Sequence, residues 1–395
     1  MKIVHLFQFT PWIQARIYPV FLGLAELGHE MTAIVTHPSR MFGVTQREEK
    51  GYTIIEVPSF YPGRLRNGWC LYDTLLRINE LRQMGCSFDI AHGFDHRPNV
   101  VFPLIYLQKK CPDICILTDW NDWWGRGGLV VENRPFGWAQ TFGHIETYFE
   151  ENFRKRFDGV TTISTALRER AVKLGIPEEK VEYIRGAALS SHFKPVDRLE
   201  NRKRFNLPDD KIILGWTGFG RLGVDLMFRT LKVLDSKGID YAFLYTGKTN
   251  PDWKKFKPQL DERKIFNFGI IDWDTLPYLL SCVDIFLLPF PYKTANLGKW
   301  PNKLGDYISL GRPYITNPTG DVKTFTEKNG CGILVDENPE SFANAIMYLI
   351  DNEDVRKKMG EKGRHASEND ISPVAIARDL EAFYSRIMNM KKGIS

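Results

Sequence analysis

The sequence predicts an α/β protein with two doubly wound, Rossmann-like domains. Short runs rich in Val and Ile alternate with longer amphipathic stretches along the chain, which is the pattern of parallel strands joined by crossover helices. The chain has 395 residues, more than one hydrophobic core usually supports. A stretch with little apolar periodicity, 185–211, is predicted to be the linker. We therefore expect an N-terminal domain over 1–194 and a C-terminal domain over 195–373.

The predicted strands fall into two sets, one in each half of the chain. In the first half they are 2–9, 31–36, 53–57, 89–92, 114–118, 159–164 and 181–184. In the second half they are 212–216, 241–245, 265–268, 285–288, 313–316 and 332–335. Helices alone are predicted after Asn338, at 340–351, 354–368 and 374–390.

The composition is that of a soluble globular enzyme, with 43% hydrophobic and 26% charged residues. The net charge of +5 fits an anionic substrate or membrane surface and is not a nucleic-acid signature. No apolar run is long enough to span a bilayer or to form a signal peptide, so we expect a cytoplasmic protein. Peripheral contact with the inner face of the membrane stays open, because the basic and aromatic loop 61–69 suits either a membrane or solvent.

The six cysteines are scattered along the chain. Cys111 and Cys115 lack the second pair of ligands that a zinc site would need. We expect all six to be free or buried thiols.

The segment NLGKWPNKLGDYISLGRPYITN, residues 296–317, predicts a nucleotide site. It places Lys303 and Asp306 on the first turns of a short helix that ends at Gly311. The N-terminus of a helix has unsatisfied N–H groups and a positive dipole, so it suits a phosphate, and Lys303 adds a full charge. Asn302, Lys303 and Asp306 are therefore predicted to lie in this nucleotide site.

The part PNKLGDYISLGRP resembles the donor-site motif of the family 4 retaining glycosyltransferases. The resemblance implies the GT-B fold, with two domains facing a cleft and a last helix, about 374–395, that crosses back to the N-terminal domain. It also implies transfer of a sugar from a UDP- or GDP-linked donor to an acceptor hydroxyl, without a metal or other cofactor. In the family an earlier glutamate contacts the sugar and a later one contacts the ribose. Asp306 stands at the later position, and Gly298, which has no side chain, stands at the earlier one.

A glycine-rich turn follows a predicted strand in ILGWTGFGRLGVD, residues 213–225. Glycines let backbone N–H groups approach a phosphate, and an arginine can pair with it bidentately. Gly218, Gly220 and Arg221 are therefore predicted to bind the donor. A tight turn without a ligand is the alternative.

The segment NFGIIDWDTLPYLLSC, residues 267–282, resembles the nucleotide-base pocket of the same family. Main-chain groups of Gly269, Ile270 and Ile271 are expected to contact the base. The two aspartates that follow form an Asp-x-Asp pattern, which can indicate a metal-bound nucleotide sugar. A helix cap is the favoured interpretation, and no metal site is predicted.

Two polar loops are predicted in the N-terminal domain, and the first lies in FDIAHGFDHRPNVVFP, residues 88–103. Strand ends in such a sheet are where polar side chains meet ligands. We predict a catalytic role for His92 and acceptor contacts for Asp95 and His96. A core histidine at 92 and a helix cap at 95 are the alternatives.

The second loop lies in LTDWNDWWGRGGLVVENRP, residues 117–135. So many large flat rings at a strand end indicate a sugar-binding wall. Acceptor contacts are predicted for Trp120, Trp123, Trp124 and Arg126. The alternative is that two of these tryptophans fill a domain interface beside a glycine hinge.

Much of the family has a histidine after this strand, near the anomeric carbon, and Trp120 stands at about that place here. The resemblance makes Asp119 or Asp122 the expected replacement, and both are predicted to be catalytic. The sequence thus predicts a retaining glycosyltransferase with a glycan, lipid or small-molecule acceptor. A nucleotide-sugar 2-epimerase of the same fold and a non-catalytic partner that binds a nucleotide sugar are the alternatives.

Overall fold

The computed structural model describes residues 1–8, 17–37, 42–49, 51–60, 68–132, 137, 141–218, 223–248 and 260–393. The chain divides into two compact units. The first unit consists of Met1–Gly186, Leu297–Trp300 and Pro373–Ser395. The second unit consists of Ala187–Asn296 and Pro301–Ser372.

The described part of the first unit is built on an eight-stranded sheet with the strand order β3-β4-β2-β1-β5-β6-β7-β8. Its strands are β1 Lys2–Phe7, β2 Glu30–His37, β3 Thr45–Glu49, β4 Tyr52–Pro58, β5 Ile90–Phe94, β6 Cys115–Trp120, β7 Gly159–Thr162 and β8 Val181–Tyr183. All neighbours pair in parallel except β3 and β4. The order reverses between β1 and β5, and ligands of doubly wound sheets bind beside such a switch point.

Helices cover both faces of this sheet, which is why its central strands read as nearly continuous apolar runs. They are α1 Ile17–Glu26, α2 Leu71–Met84, α3 Pro98–Lys110, α4 Leu129–Glu132, α5 Phe142–Asn152, α6 Thr165–Lys173 and the last helix of the chain, Pro373–Lys392. A side chain on Gly23 of α1 would overlap the backbone of Pro373, so the last helix packs directly on α1.

The described part of the second unit contains a six-stranded sheet with the strand order β11-β10-β9-β12-β13-β14. Its strands are β9 Ile213–Thr217, β10 Ala242–Thr246, β11 Ile265–Asn267, β12 Ile285–Leu288, β13 Tyr314–Thr316 and β14 Gly332–Leu334, all paired in parallel. The switch point lies between β9 and β12. Thr217 and Gly218 therefore stand at the edge where a ligand is expected.

The helices of the second half of the chain complete the fold. They are α7 Arg198–Arg204, α8 Val224–Ser236, α9 Leu276–Ser281, α10 Thr294–Leu297, α11 Asn302–Ser309, α12 Gly320–Asn329, α13 Pro339–Asp351 and α14 Glu353–Glu368. The last helix of the chain, Pro373–Lys392, is α15. No helix within the described ranges is long and apolar enough to cross a membrane.

Each predicted strand is present, with ends that differ by no more than two residues. The sequence pattern missed β3, whose residues TQREE are nearly all exposed. Such a strand at the edge of a sheet has no apolar alternation to reveal it, and its charged side chains discourage pairing with another chain.

The chain changes unit at the start of the predicted linker, eight residues before the predicted end of the N-terminal domain at 194. The first unit ends at Gly186, and the residues that follow are folded into the second unit. The backbone N–H of Ala188 donates to the carbonyl of Ile371 at 2.7 Å, and the buried Arg202 donates to the Asp284 carboxylate at 2.5 Å. Polar contacts anchor this segment, so apolar periodicity could not detect it.

The expectation of six free thiols is wrong for one pair. Cys86 and Cys111 form a disulfide with their Cα atoms 5.5 Å apart, and it joins the C-terminal ends of α2 and α3. The other four cysteines are free and buried.

Candidate functional site

The predicted donor residues of the second unit meet at the carboxyl end of β9. The Nζ atom of Lys303 donates to the carbonyl oxygen of Thr217 at 2.7 Å. The same atom lies 4.6 Å from the ring centroid of Trp216, which is a cation–π distance. Lys303 is thus held at the switch point of the sheet.

Helix α11 positions this lysine because its opposite face is buried. The ring of Tyr307 stacks on Phe286 with centroids 3.7 Å apart, and its hydroxyl accepts from the Thr217 backbone N–H at 3.0 Å. The helix is therefore fixed to β9 and β12 together. Asn302 is exposed at its first position, and Lys303 and Asp306 are half-buried.

Burial shifts the pKa values of Lys303 and Asp306 on α11. It lowers the pKa of Lys303 to about 8 and raises the pKa of Asp306 to about 7, and their mutual attraction partly offsets both shifts. A phosphate beside Lys303 would favour its charged form. A carboxyl group with a pKa near neutrality can accept a hydrogen bond from a sugar hydroxyl when it is ionised and donate one to it when it is protonated.

Three glycines join the ends of β9, β10 and β11. A side chain on Gly247 would overlap the carbonyl of Gly218, and the Gly247 N–H donates to the carbonyl of Gly269 at 2.6 Å. A Cβ on Gly218 would lie 3.3 Å from Lys303 Nζ. The structure therefore brings the predicted phosphate-binding and base-binding glycines together. Gly220 and Arg221 lie outside the described residues.

The residues after Gly269 are open to solvent. Ile270 is 68% exposed and Ile271 is half-buried, so a base could stack there. Asp272 has a structural role, because its Oδ1 accepts from the Thr275 backbone N–H at 2.8 Å. That bond lowers the pKa of Asp272, as expected for a helix-capping carboxylate.

In the first unit, the predictions for three site residues are wrong, because strands β5 and β6 extend further along the chain than predicted. His92 and Asp119 lie inside β5 and β6, fully buried, and Thr161 bridges them: its hydroxyl is 3.1 Å from His92 Nε2 and donates to Asp119 Oδ1 at 2.6 Å. The other ring nitrogen of His92 is 2.8 Å from the Tyr384 hydroxyl of α15. Trp120 is also fully buried. These three residues form core, with at most 1% of each exposed.

The loop after β5 holds a buried charged network. Asp95 accepts from the backbone N–H groups of His96 and Arg97 at 2.7 and 2.9 Å and from the Arg97 guanidinium at 2.5 Å. Arg97 also donates to Gln8 at 2.6 Å and to Glu146 at 3.0 Å. The predicted acceptor contact of Asp95 is therefore wrong, since its oxygens organise this loop.

His96 is buried beside the same carboxylates. Its Nδ1 lies 3.5 Å from Asp95 and its Nε2 lies 3.7 Å from Glu146. Burial lowers its pKa, and the nearby Asp95 and Glu146 carboxylates partly oppose this shift. Only 1% of the residue is exposed, which rules out the predicted direct contact with an acceptor in this structure.

The predicted residues that do reach the surface are Asp122, Trp123, Trp124 and Arg126. The first three are half-buried and the last is exposed. The Trp123 indole N–H donates to the Arg126 carbonyl at 2.8 Å, so this loop folds on itself. Burial raises the pKa of the half-buried Asp122 to about 6.

Glu150 of α5 sets the conformation of this loop, and the sequence analysis missed it. One oxygen accepts from the Trp120 indole N–H at 2.9 Å and the Trp124 backbone N–H at 2.7 Å, and the other accepts from the Gly125 N–H at 2.6 Å. Glu150 is fully buried, and Arg170 lies 3.5 Å from it. In the sequence, this role of Glu150 is indicated only by its spacing from Glu146, one helical turn away.

Gly298 belongs to the short segment Leu297–Trp300 of the first unit, and its lack of a side chain is a packing requirement. A Cβ there would lie 2.5 Å from the Cβ and 2.9 Å from the backbone nitrogen of Trp123. Trp300 of the same segment similarly leaves no room for a side chain on Gly186. Trp123 therefore fills the space that a glutamate at position 298 would need.

Introducing glutamate by Gly298→Glu is expected to lower stability and not to raise the transfer rate, because the new Cβ must displace Trp123. Overpacking of this kind typically costs about 1–3 kcal/mol. Thermal unfolding and a transfer assay would measure both effects. A variant that is as stable as the wild type and transfers sugar faster would contradict the steric explanation.

Two family profiles together match most of the chain. The profile of the Glycosyltransferase Family 4 matches residues 16–187, and the profile of the Glycosyl transferases group 1 matches residues 212–352. Together with the two Rossmann-like units, these matches define a glycosyltransferase of the GT-B fold. The chain belongs to family 4 of the glycosyltransferases.

One curated relative comes from Escherichia coli K12, a provisionally named glycosyl transferase of colanic acid biosynthesis, WcaI. It is 25% identical over 194 residues, which are 47% of this chain and 44% of that protein. This chain therefore aligns with less than half of that relative's length.

Among solved structures, sucrose-phosphate synthase from Thermosynechococcus elongatus superposes with a TM-score of 0.74 at 17% identity, over 99% of this chain and 100% of that one. Anabaena HepE in complex with UDP-glucose superposes with a TM-score of 0.66 at 13% identity, over 98% and 100% of the two chains. At these identities the likeness shows the fold alone.

Proposed function

We propose that the protein is a retaining glycosyltransferase that uses a nucleoside diphosphate sugar, with UDP as the favoured nucleotide, and needs no metal. The observation that carries the proposal is Lys303, held by Thr217 and Trp216 at the switch point with Asp306 one turn further along α11. A lysine and a helix N-terminus together suit a diphosphate, and the carboxyl group suits a ribose hydroxyl.

The proposed chemistry relies on charge stabilisation. The bond between the anomeric carbon and the diphosphate oxygen breaks, and the acceptor oxygen forms a bond to that carbon from the same face. The hydroxyl proton passes to the departing phosphate oxygen. Lys303 and the N-terminal N–H groups of α11 would stabilise the growing negative charge, which is the task that a metal performs in other transferases.

UDP is favoured because the structural relative HepE was solved with UDP-glucose. A polysaccharide acceptor is favoured because the E. coli relative is named for colanic acid biosynthesis. Asp122 is the proposed acceptor-binding carboxylate of the first unit, and Trp123 and Trp124 would contact sugar rings.

The test is to incubate the purified protein with UDP- and GDP-sugars, with and without EDTA and oligosaccharide acceptors. We expect UDP to raise the melting temperature of the protein. We also expect UDP to be released in the presence of EDTA only when an acceptor is added, and NMR to show that the product keeps the donor's anomeric configuration. Formation of a nucleotide sugar epimeric at C2, without UDP release, would establish the epimerase instead. Stabilisation by UDP with no turnover of any donor would establish a non-catalytic binder.

The proposed role of Asp122 predicts a pH dependence. The value of kcat/KM for the acceptor is expected to fall as the pH drops through about 6, because protonated Asp122 cannot accept the acceptor's O–H. Burial, Asp95 and Glu150 raise this pKa, whereas Lys299 and Arg97 lower it.

The measurement is the pH profile of Asp122→Asn, which should lack this acidic limb. Asp306→Asn, assayed at saturating donor, should retain it, since the Asp306 carboxyl belongs to the donor residues. A normal acidic limb in Asp122→Asn would exclude Asp122 from this role.

A further inference from the structure

Two helices of the first unit expose an unusual number of large apolar side chains. On α2, Leu71 and Leu75 are 67% and 65% exposed, and Tyr72 joins them. On α5, the exposed residues are Phe142, Ile145 and Tyr148, which repeat every three positions and so share one side of the helix. Soluble monomers rarely expose apolar side chains in such groups without a partner.

Aromatic contacts show that the two groups are neighbours. Trp69, just before α2, lies against Phe149 of α5 with ring centroids 5.0 Å apart. Phe102 of α3 lies 6.0 Å from the same ring. Helix α3 packs against α2, and these ring contacts join α5 to both α3 and the start of α2. We call the outward surface of the three helices the α2–α5 face.

The other end of the α2–α5 face is cationic. Its exposed basic residues are Arg82 of α2, Lys109 and Lys110 of α3, and Lys155 and Arg156 in the turn after α5. The disulfide between Cys86 and Cys111 ties the ends of α2 and α3, and the Gln108 side chain donates to the Arg156 carbonyl at 2.8 Å. The basic side chains are thus held near one another.

The acidic residues of these three helices do not oppose this charge at the surface. Asp73, Glu146 and Glu150 are buried, and Glu80 and Glu151 are half-buried. Exposed carboxylates begin outside the helices, as at Asp113 after α3. The exposed part of the face is therefore apolar at one end and positively charged at the other.

We propose that the α2–α5 face docks on an anionic lipid bilayer. Its leucines, isoleucine and aromatic rings would enter the interface between head groups and acyl chains, while the lysines and arginines would meet the anionic head groups. The apolar side chains alone would also suit a second copy of the chain, but the three helices of that copy offer no exposed carboxylate to pair with the cationic end. The proposal goes beyond the proposed reaction, since binding to a membrane needs no sugar donor.

The test is flotation of the full chain with vesicles of phosphatidylcholine alone and of phosphatidylcholine mixed equally with phosphatidylglycerol. We expect binding to the anionic vesicles that weakens with added salt. The double variant Leu71→Ser/Ile145→Ser should bind about tenfold more weakly or worse, because it removes two of the inserted side chains. Lys109→Glu/Lys155→Glu should lose the preference for anionic vesicles.

The matched control is Leu199→Ser/Tyr348→Ser, which alters two exposed apolar residues of the second unit and should bind like the wild type. Circular dichroism and melting temperature would establish that each variant is folded. Equal binding to both vesicle types, no binding at all, or undiminished binding by the Leu71/Ile145 variant would overturn the proposal. A dimer in sedimentation that disappears in that variant, with no vesicle binding, would assign the face to self-association.

Discussion

Replacing Lys303 with methionine is expected to lower kcat/KM for the nucleotide sugar by about a hundredfold or more, the loss typical for a group that stabilises charge in the transition state. Methionine keeps an unbranched apolar stem beside Trp216 but brings no charge to the leaving diphosphate. The melting temperature should change little, whereas the rise in melting temperature caused by UDP should shrink. Enzyme kinetics and thermal shift would measure the two effects on the same preparation.

The matched control for this variant is Lys323→Met. Lys323 lies on α12 of the same unit, is half-exposed, and has a weak ion pair with Glu327 at 4.0 Å. It should behave like the wild type in both assays. A Lys303→Met protein with normal kinetics and a normal response to UDP would show that the donor diphosphate binds elsewhere.

Replacing Glu150 with glutamine is expected to damage the acceptor side of the reaction. Glutamine keeps the size of the side chain, but one acceptor oxygen becomes an NH₂ group, so at least one of the N–H groups of Trp120, Trp124 and Gly125 loses its partner. An unpaired buried donor costs about 1–3 kcal/mol, and Arg170 keeps its ion pair with Glu151 in this variant. We expect a lower melting temperature and a loss of acceptor kcat/KM of about tenfold or more, with donor binding intact.

A pH profile separates positioning from simple loss of stability in this variant. The charge of Glu150 helps to raise the pKa of Asp122, so the acidic limb of the profile should move to lower pH in Glu150→Gln. The control is Glu151→Gln, which removes the neighbouring carboxylate, half-buried and 2.7 Å from Arg170. It should leave the profile unchanged, because Glu151 is not among the groups that shift the pKa of Asp122. A Glu150→Gln protein with unchanged acceptor kinetics would refute the positioning role.

The sequence predicted the features that local patterns encode. The parallel strands followed from their Val and Ile runs, and the helix α11 followed from the Gly311 and Pro313 that come after it. Lys303 and Asp306 could be predicted to lie near each other because a helix places residues three apart on one side, whatever the rest of the fold does. The observed contact of Lys303 with Thr217 joins elements far apart in the chain, and no local pattern could have predicted that partner.

The acceptor side was predicted less well, for two physical reasons. His92, Asp119 and Trp120 were placed at strand ends, but β5 and β6 run on to Phe94 and Trp120, so these side chains lie within a sheet covered by helices. Glu150 was missed because its importance lies entirely in contacts with residues distant in sequence. A carboxylate inside an amphipathic helix looks like any solvent-facing one until the loop that it binds is known.

The assignment of Leu297–Trp300 to the first unit has a consequence for how such proteins are recombined. The chain passes from the first unit to the second after Gly186, returns to the first unit for Leu297–Trp300, and returns to it again after Ser372. No single cut through the polypeptide can yield either unit whole. A chimera of two relatives joined at Gly186 would place a foreign segment 297–300 on Trp123, so this segment and the part of the first unit that contacts it must come from the same relative.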